Sequence, residues 1–420
     1  MIRFACALSC AMALASVPVM ADGLDFGGHV KYQYTHSDYR ADDIYAVFGD
    51  DPARDHALDL RLKAEDRRDA WDFTAHYELL ALNGDTLDAR RRIAVAGIPL
   101  TGTASGLPDD RRRLFDLTHA ITDRDRQAAV HRLDRFSIGY GSAQQTLRFG
   151  RQVVSWGNGL AFQPLDFVNP FSPLAIDKDY KTGDDMLYGQ WLVGEKNDMQ
   201  AIMLPRRDPA THHVESEQST YAAKFRARLA GVDLDLMAAR HYGENLAGVG
   251  VVKSIGGAVW RLDASVTDLD NSGSATSFVT NLDYSWMWGG KNVYGYAEYF
   301  RNGVGETDRA SYPTPNADLS VRIARGELYT LARDYAALGL QVEFTPLFNL
   351  HASLIANLND GSKFLQLRGV YDWQQDVQFM AGLNLPSGDR GTEYGGIPVA
   401  GSSFFVASGR SAYLRGAYYF

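Results

Sequence analysis

The sequence predicts an all-β fold: a transmembrane antiparallel up-and-down β-barrel of about eighteen strands, sixteen being the alternative count, with short periplasmic turns and long extracellular loops. Three observations predict it. The chain opens on an export signal, continues as segments of roughly ten residues that alternate apolar with polar side chains, and ends on an aromatic-rich strand stopping at Phe420.

The signal comes first. Arg3 supplies a positive n-region, Phe4 to Val17 an apolar stretch and Val19-Met20-Ala21 a small-residue cleavage site, so residues 1–21 are expected to be a signal peptide and residues 22–420 the barrel. Cys10 as a lipoprotein cysteine is the competing reading, but Ala7-Leu8-Ser9 is a poor lipobox. Both cysteines, Cys6 and Cys10, would leave with the signal, so neither disulfides nor thiolate metal sites can hold the mature chain. Past Ala21 no uninterrupted apolar run approaches the roughly 18 residues a spanning helix needs. Aromatics are nonetheless abundant, with 22 Tyr, 20 Phe and 7 Trp, at a mean hydropathy of -0.25. Residues that take turns between lipid and lumen produce that combination. A formal net charge of -9 argues against nucleic acid as a partner.

The alternation is regular enough to assign faces. In Ala57 to Glu65, Leu58, Leu60, Leu62 and Ala64 share one side while Asp59, Arg61, Lys63 and Glu65 share the other. In Trp71 to Leu79 the lipid set is Trp71, Phe73, Ala75, Tyr77 and Leu79, against Asp72, Thr74, His76 and Glu78. Phe278, Thr280, Leu282, Tyr284, Trp286 and Trp288 oppose Asn281, Asp283 and Ser285; Leu365, Leu367, Gly369, Tyr371 and Trp373 oppose Gln366, Arg368 and Asp372. A helix would scatter those charges around its circumference.

Connection lengths give orientation. Asp66 to Arg68, Ser142-Ala143, Gly194 to Lys196, Ala230-Gly231, Gly256, Gly289 to Lys291, Pro346-Leu347 and Gln374-Gln375 read as periplasmic turns. Tyr39 to Arg54, Asn83 to Val130, Ser155 to Asp184, Arg206 to Glu217, Asn302 to Leu331 and Pro386 to Gly409 read as extracellular or lumen-folded loops. The terminal strand presents Ala412, Leu414, Gly416, Tyr418 and Phe420 on one face, and Leu414, Tyr418 and Phe420 are read as a barrel-assembly signal. No solenoid period and no linker interrupt this single domain.

In hydrocarbon each unpaired backbone group costs several kcal/mol, so spanning strands must close into an edgeless sheet. About eighteen strands enclose more space than their side chains fill, which makes a pore for small polar or anionic solutes the expected function. Candidate lumen residues are Arg61, Lys63, His76, Arg148, Lys224, Arg226, Arg228, Arg261, Asp263, Arg368 and Arg415. The competing reading pairs these cations with Asp59, Glu65, Asp233, Asp235, Asp263 and Asp283, stiffening the wall instead. The Gly- and Pro-punctuated, aromatic stretch from Arg151 to Pro173 is expected to fold inward as a constriction loop carried by Trp156, Asn158, Phe162, Asp166, Asn169 and Phe171. The triplets Arg90 to Arg92 and Arg111 to Arg113 are expected to stay solvated near anionic surface lipid and lipopolysaccharide.

The alternating strands, the terminal Phe420, and Trp156-Gly157 followed by Asn169-Pro170-Phe171 after an early hairpin resemble the large single-chain outer-membrane porins of Proteobacteria, most of all the alginate-export type and uncharacterised barrels of similar size. The resemblance covers essentially the whole mature chain. It implies about eighteen strands, docking of the terminal strand by the barrel-assembly machinery, and passage of a small or polymeric solute.

Enzyme chemistry lacks its usual signatures. No G-x-S-x-G elbow and no H-E-x-x-H pair occur. His212-His213 has no spaced third ligand, Asp177 to Gly183 puts Lys181 where a calcium loop needs an oxygen, and Asp268 to Gly273 has Val279 at the bidentate position. The expectation is therefore no enzyme, no cofactor and no metal. A dedicated polysaccharide or organic-solute channel is the alternative and a barrel hydrolase the distant one.

Overall fold

The computed structural model describes residues 23–98, 106–175 and 179–420, so the expected signal peptide, Cys10 included, lies outside the described residues. In chain order the strands are β1 (Leu24–Asp38), β2 (Ala53–Arg68), β3 (Trp71–Gly84), β4 (Thr118–Arg124), β5 (Gln127–Gly141), β6 (Gln145–Gln152), β7 (Asp184–Val193), β8 (Asn197–Leu204), β9 (Thr220–Leu229), β10 (Val232–His241), β11 (Glu244–Ile255), β12 (Ala258–Leu269), β13 (Gly273–Trp288), β14 (Lys291–Arg301), β15 (Asp334–Thr345), β16 (Phe348–Asn357), β17 (Lys363–Gln374), β18 (Val377–Ser387), β19 (Ile397–Pro398), β20 (Phe405–Val406) and β21 (Arg410–Tyr419). Three short helices, α1 (Ile44–Phe48), α2 (Asp85–Val95) and α3 (Ala317–Arg325), lie in the connections. None of the described helices is long and apolar enough to cross a membrane.

Each wall strand pairs antiparallel with its neighbours, and β1 closes the ring against β21, with Val30 opposite Tyr418 and Tyr32 opposite Gly416. Eighteen strands make the closed wall. The seal is completed by the terminal residue: the Gly28 amide donates to the Phe420 carbonyl at 2.8 Å, and the Phe420 amide returns to Gly28 at 3.2 Å. Turns at one end are tight, as at Gly256-Gly257 and Gly289-Gly290. There both residues take positive φ, the conformation whose twist matches paired strands.

The molecule is inside out. Side chains of Trp71, Phe136, Leu338 and Trp373 are exposed on the outer surface, while Arg61, Asp134, Arg151 and Asp263 are buried within. Lipid replaces water on the outer face, so apolar groups can stay exposed there; the interior must instead satisfy charges against one another.

Asp66 to Arg68, expected to be a turn, lie in β2, which runs on to a turn at Asp69-Ala70, and two larger features also depart from the expected layout. The stretch expected to be loop from Asn83 to Val130 contains α2, β4 and the start of β5. β4 pairs with the far half of β5, Thr118 opposite Arg132, where the eight-residue β6 has already turned away. Its backbone N–H and C=O groups satisfy an edge of β5 that would otherwise be bare. The second departure is Arg113, expected to be solvated. It turns inward to Asp110 at 2.7 Å, and Arg151 binds the same Asp110 at 3.0 Å and Asp185 at 2.8 Å. Segment 107–117 thus lines the inner wall above short strands β6 to β9, its position set by buried ion pairs that the local sequence does not reveal. Arg92 and Arg111 are exposed, while Arg91 is half-buried, and each pairs with an aspartate: Asp88, Asp109 and Asp123 respectively.

Candidate channel and constriction loop

Connection 153–183 leaves β6 and enters the lumen. Gly157 has φ +101°, and a Cβ on Gly159 would sit 1.7 Å from the Phe162 carbonyl oxygen, so the two glycines permit a turn tight enough to lie against the wall. Trp156 is buried among Met186, Ile202, Leu204 and Met237 of β7, β8 and β10, and its indole N–H donates to Gln200 at 2.8 Å. Phe162 reaches β14, stacked on Phe300 with centroids 4.6 Å apart and beside Tyr335. Asp166 binds Lys181 at 2.5 Å, tying the outgoing and returning limbs together, and Asn169, at φ +50°, reaches Asp184 at 3.4 Å. Phe171 is half-buried. On the return, Asp179 meets Lys31 of β1 at 2.6 Å, and the Tyr180 ring covers Arg61 at 4.3 Å and Lys63 at 4.6 Å. The loop therefore touches the wall on β1 and β2, on β7 to β10, and on β12 to β15.

Burial works against the charges of its central pair. It pushes the Asp166 carboxyl up and the Lys181 ammonium down, against their mutual attraction. The same loop explains why lumen-side Val279, Phe300 and Ile355 are apolar: they pack on Phe162 and its neighbours rather than on water.

The remaining lumen residues fall into two groups. Most are paired. Arg226 binds Asp235 at 2.7 Å, Arg228 binds Asp233 at 3.3 Å and Arg261 binds Asp283 at 3.2 Å, as in the wall-stiffening alternative. Arg61 pairs with Glu78 and with Asp134 at 2.8 Å, His76 with Glu65 at 2.8 Å and Arg148 with Asp72 at 2.9 Å. Lys224 lies over the Trp156 ring at 5.5 Å, and Asp263 accepts from Asn158.

Arg415 donates to Gln33 at 2.8 Å, and it and Arg368 differ from the others only in position, because they line open space. A cavity of about 410 Å³ separates loop residues Pro173, Ala175 and Asp179 from the inner face of β14 to β18 and β21, where Tyr296, His351, Ser353, Gln366 and Gln378 accompany the two arginines. A second cavity of about 430 Å³, with Ser285, Met287, Asn292 and Glu343, shares Tyr294 and Gln341 with the first. Sharing those residues, the two lie next to each other along one wall, the second nearer the short-turn end. Amides, hydroxyls and guanidinium groups there can exchange hydrogen bonds with a polar solute while aromatic faces cover its apolar parts.

No family model and no curated protein sequence matches the chain. Solved structures do. OccK5 (OpdH) of Pseudomonas aeruginosa superposes with TM-score 0.53 at 8% identity, covering 95% of this chain and 98% of that one. A BenF-like porin from Pseudomonas fluorescens Pf-5 gives 0.50 at 8% identity, covering 94% and 98%. Pseudomonas aeruginosa OccK2 (OpdF), solved with glucuronate, gives 0.51 at 9% identity, covering 94% and 98%. The fold is that of the outer-membrane porins. Within that fold these neighbours are Occ and BenF-like proteins, not the alginate-export type.

Sequence reasoning missed Glu298, Tyr180, Tyr294 and Gln341. Glu298 had a usable signal, being an acid on the inner face of β14 between Tyr296 and Phe300. Tyr180 had none, because its partners are more than a hundred residues away.

Proposed function

We propose that this chain is an outer-membrane channel through which small polar solutes diffuse, anionic ones preferentially, past an inward-folded loop. The observation that carries the reading is the pair of adjoining cavities along β13 to β18 and β21. Among the described residues their charged lining is Arg368, Arg415, Asp179 and Glu343, with the two arginines beside the narrowing made by the loop. A carboxylate could take bidentate hydrogen bonds from a guanidinium there, while hydroxyls meet Gln366, Gln378 and Ser353. The glucuronate of the OccK2 structure has this chemistry, which makes a sugar acid a sensible first probe.

Residues 1–21 act as the cleaved signal, the aromatic outer face meets membrane lipid and lipopolysaccharide, and the terminal strand with Leu414, Tyr418 and Phe420 is the part read by the barrel-assembly machinery. The protein is a conduit without catalysis. The alginate-export likeness of Trp156-Gly157 and Asn169-Pro170-Phe171 supports a polysaccharide channel as the second reading.

Purified protein in planar bilayers tests this. Steady unitary conductance, an anion-selective reversal potential in a salt gradient, and a shift toward cations in the Arg368→Gln/Arg415→Gln variant are expected. Block by alginate fragments but not by glucuronate would favour the second reading. Absence of conductance from folded barrel would overturn both.

A further inference from the structure

The loop does not rest on the wall by packing alone. Asp263 of β12, Asn281 of β13 and Glu298 of β14 lie side by side on the inner face, Asn281 directly opposite Glu298 in register. The turn Gly157 to Phe162 lays its backbone across this row. Asp263 accepts the Asn158 amide at 2.5 Å and its side-chain Nδ2 at 2.7 Å. Glu298 accepts three successive amides: Leu160 at 2.7 Å, Ala161 at 3.0 Å and Phe162 at 2.8 Å. Asn281 donates to Glu298 at 3.0 Å, holding that carboxylate in place.

Successive N–H groups converging on one acceptor form an anion-binding nest. Here the anion is a side chain of the wall, so the nest works as a latch. Both carboxylates are buried, Asp263 at 0% and Glu298 at 4% exposure. A buried carboxylate that loses its donors is costly, so the turn and the acids hold one another. Packing of Phe162 on Phe300 would tolerate sliding, whereas charge-assisted hydrogen bonds fix register.

We propose that Glu298 and Asp263 are positioning residues that latch the constriction loop to β12 and β14 and thereby set the open cross-section of the channel. The inference rests on the channel reading and adds the device that fixes the pore's width. Solutes need not touch either acid.

The test uses full-length protein in planar bilayers and, in parallel, detergent-solubilised folded barrel exposed to protease. Glu298→Ala removes the acceptor of three amides. Asn158→Asp sets a carboxylate against Asp263 from the loop side, leaving the wall untouched, and Asp263→Asn added to it restores a donor–acceptor pair. Gly159→Ala spoils the turn without changing charge.

The expected result is a rise in unitary conductance, with steps between two levels, in Glu298→Ala, Asn158→Asp and Gly159→Ala, and a return toward wild type in the Asn158→Asp/Asp263→Asn double variant. Unchanged or reduced conductance in Glu298→Ala and Asn158→Asp overturns the latch. Failure of the double variant to rescue overturns the role of Asp263. A wild type that does not conduct refutes the channel reading instead. The latch is then judged by cleavage within residues 156–171: faster in these variants than in wild type supports it, and equal rates overturn it.

Discussion

Replacing Lys181 with methionine strands a charge. Lys181 donates to Asp166 at 2.5 Å and to the Val154 carbonyl at 2.8 Å, and the two charged side chains are 6% and 2% exposed, so water screens little of their interaction. Methionine keeps the volume but leaves Asp166 with the Ser155 hydroxyl at 3.0 Å as its side-chain donor. Breaking one partner of such a pair costs about 3–5 kcal/mol. At 1.4 kcal/mol per factor of ten, the open loop should become roughly a hundredfold to a few thousandfold more populated. Slow proteolysis of folded, detergent-solubilised protein reads this population, through cleavage after Trp156, Phe162, Phe167 or Phe171. The double variant Lys181→Met/Asp166→Asn removes the stranded charge and should recover most of the protection. pH gives an independent sign. Burial already holds the Asp166 carboxyl above its ordinary range, and loss of Lys181 moves it further the same way. A carboxyl raised in the folded state contributes its full stability below the ordinary carboxylate range and loses it as pH rises through the folded value. Excess cleavage of Lys181→Met should therefore be small in acid and large at neutral pH. Wild-type protection in the single variant at neutral pH, or a double variant as labile as the single one, would refute the reasoning.

Three further outcomes are expected. Glu393, in the loop between β18 and β21, accepts from Tyr335 at 2.6 Å, Asn357 at 2.8 Å and the Leu331 amide at 2.9 Å, and burial pushes its carboxyl up to about 7. Stability of that loop junction should be complete below the ordinary carboxylate range and fall as pH rises through about 7, seen as faster cleavage within residues 388–409 and flattened in Glu393→Gln. Phe420→Ala removes a ring that a Cβ on Gly28 would meet at 2.8 Å, and should lower the yield of folded, heat-modifiable barrel in the envelope while leaving the conductance of what does fold unchanged. Leu338→Arg, on the lipid face, should cost about 2–4 kcal/mol in urea unfolding from lipid vesicles, whereas Gln341→Arg, inside, should alter reversal potential with little loss of stability.

The fold was legible because a barrel strand is a local statement. Side chains alternate every residue, so Leu58-Leu60-Leu62 against Asp59-Arg61-Lys63, or Trp286 and Trp288 against Asp283, declare their faces without knowledge of any partner. Turns such as Ala230-Gly231 and Pro346-Leu347 were equally local, each fixed by two residues. Inward folding of the Trp156 to Phe171 stretch could be expected from glycines and aromatics that water would not hold. Tertiary structure alone decided the remainder: β4 filling an edge left by β6, Arg113 turning inward to Asp110, and Glu298 meeting amides 136 to 138 residues away. Hydrogen bonds and ion pairs between distant segments leave no periodicity in a sequence, since any lumen-facing acid can serve any donor that closure brings near it. Which cations line open space was settled in the same way, by where the loop fell once the ring had shut.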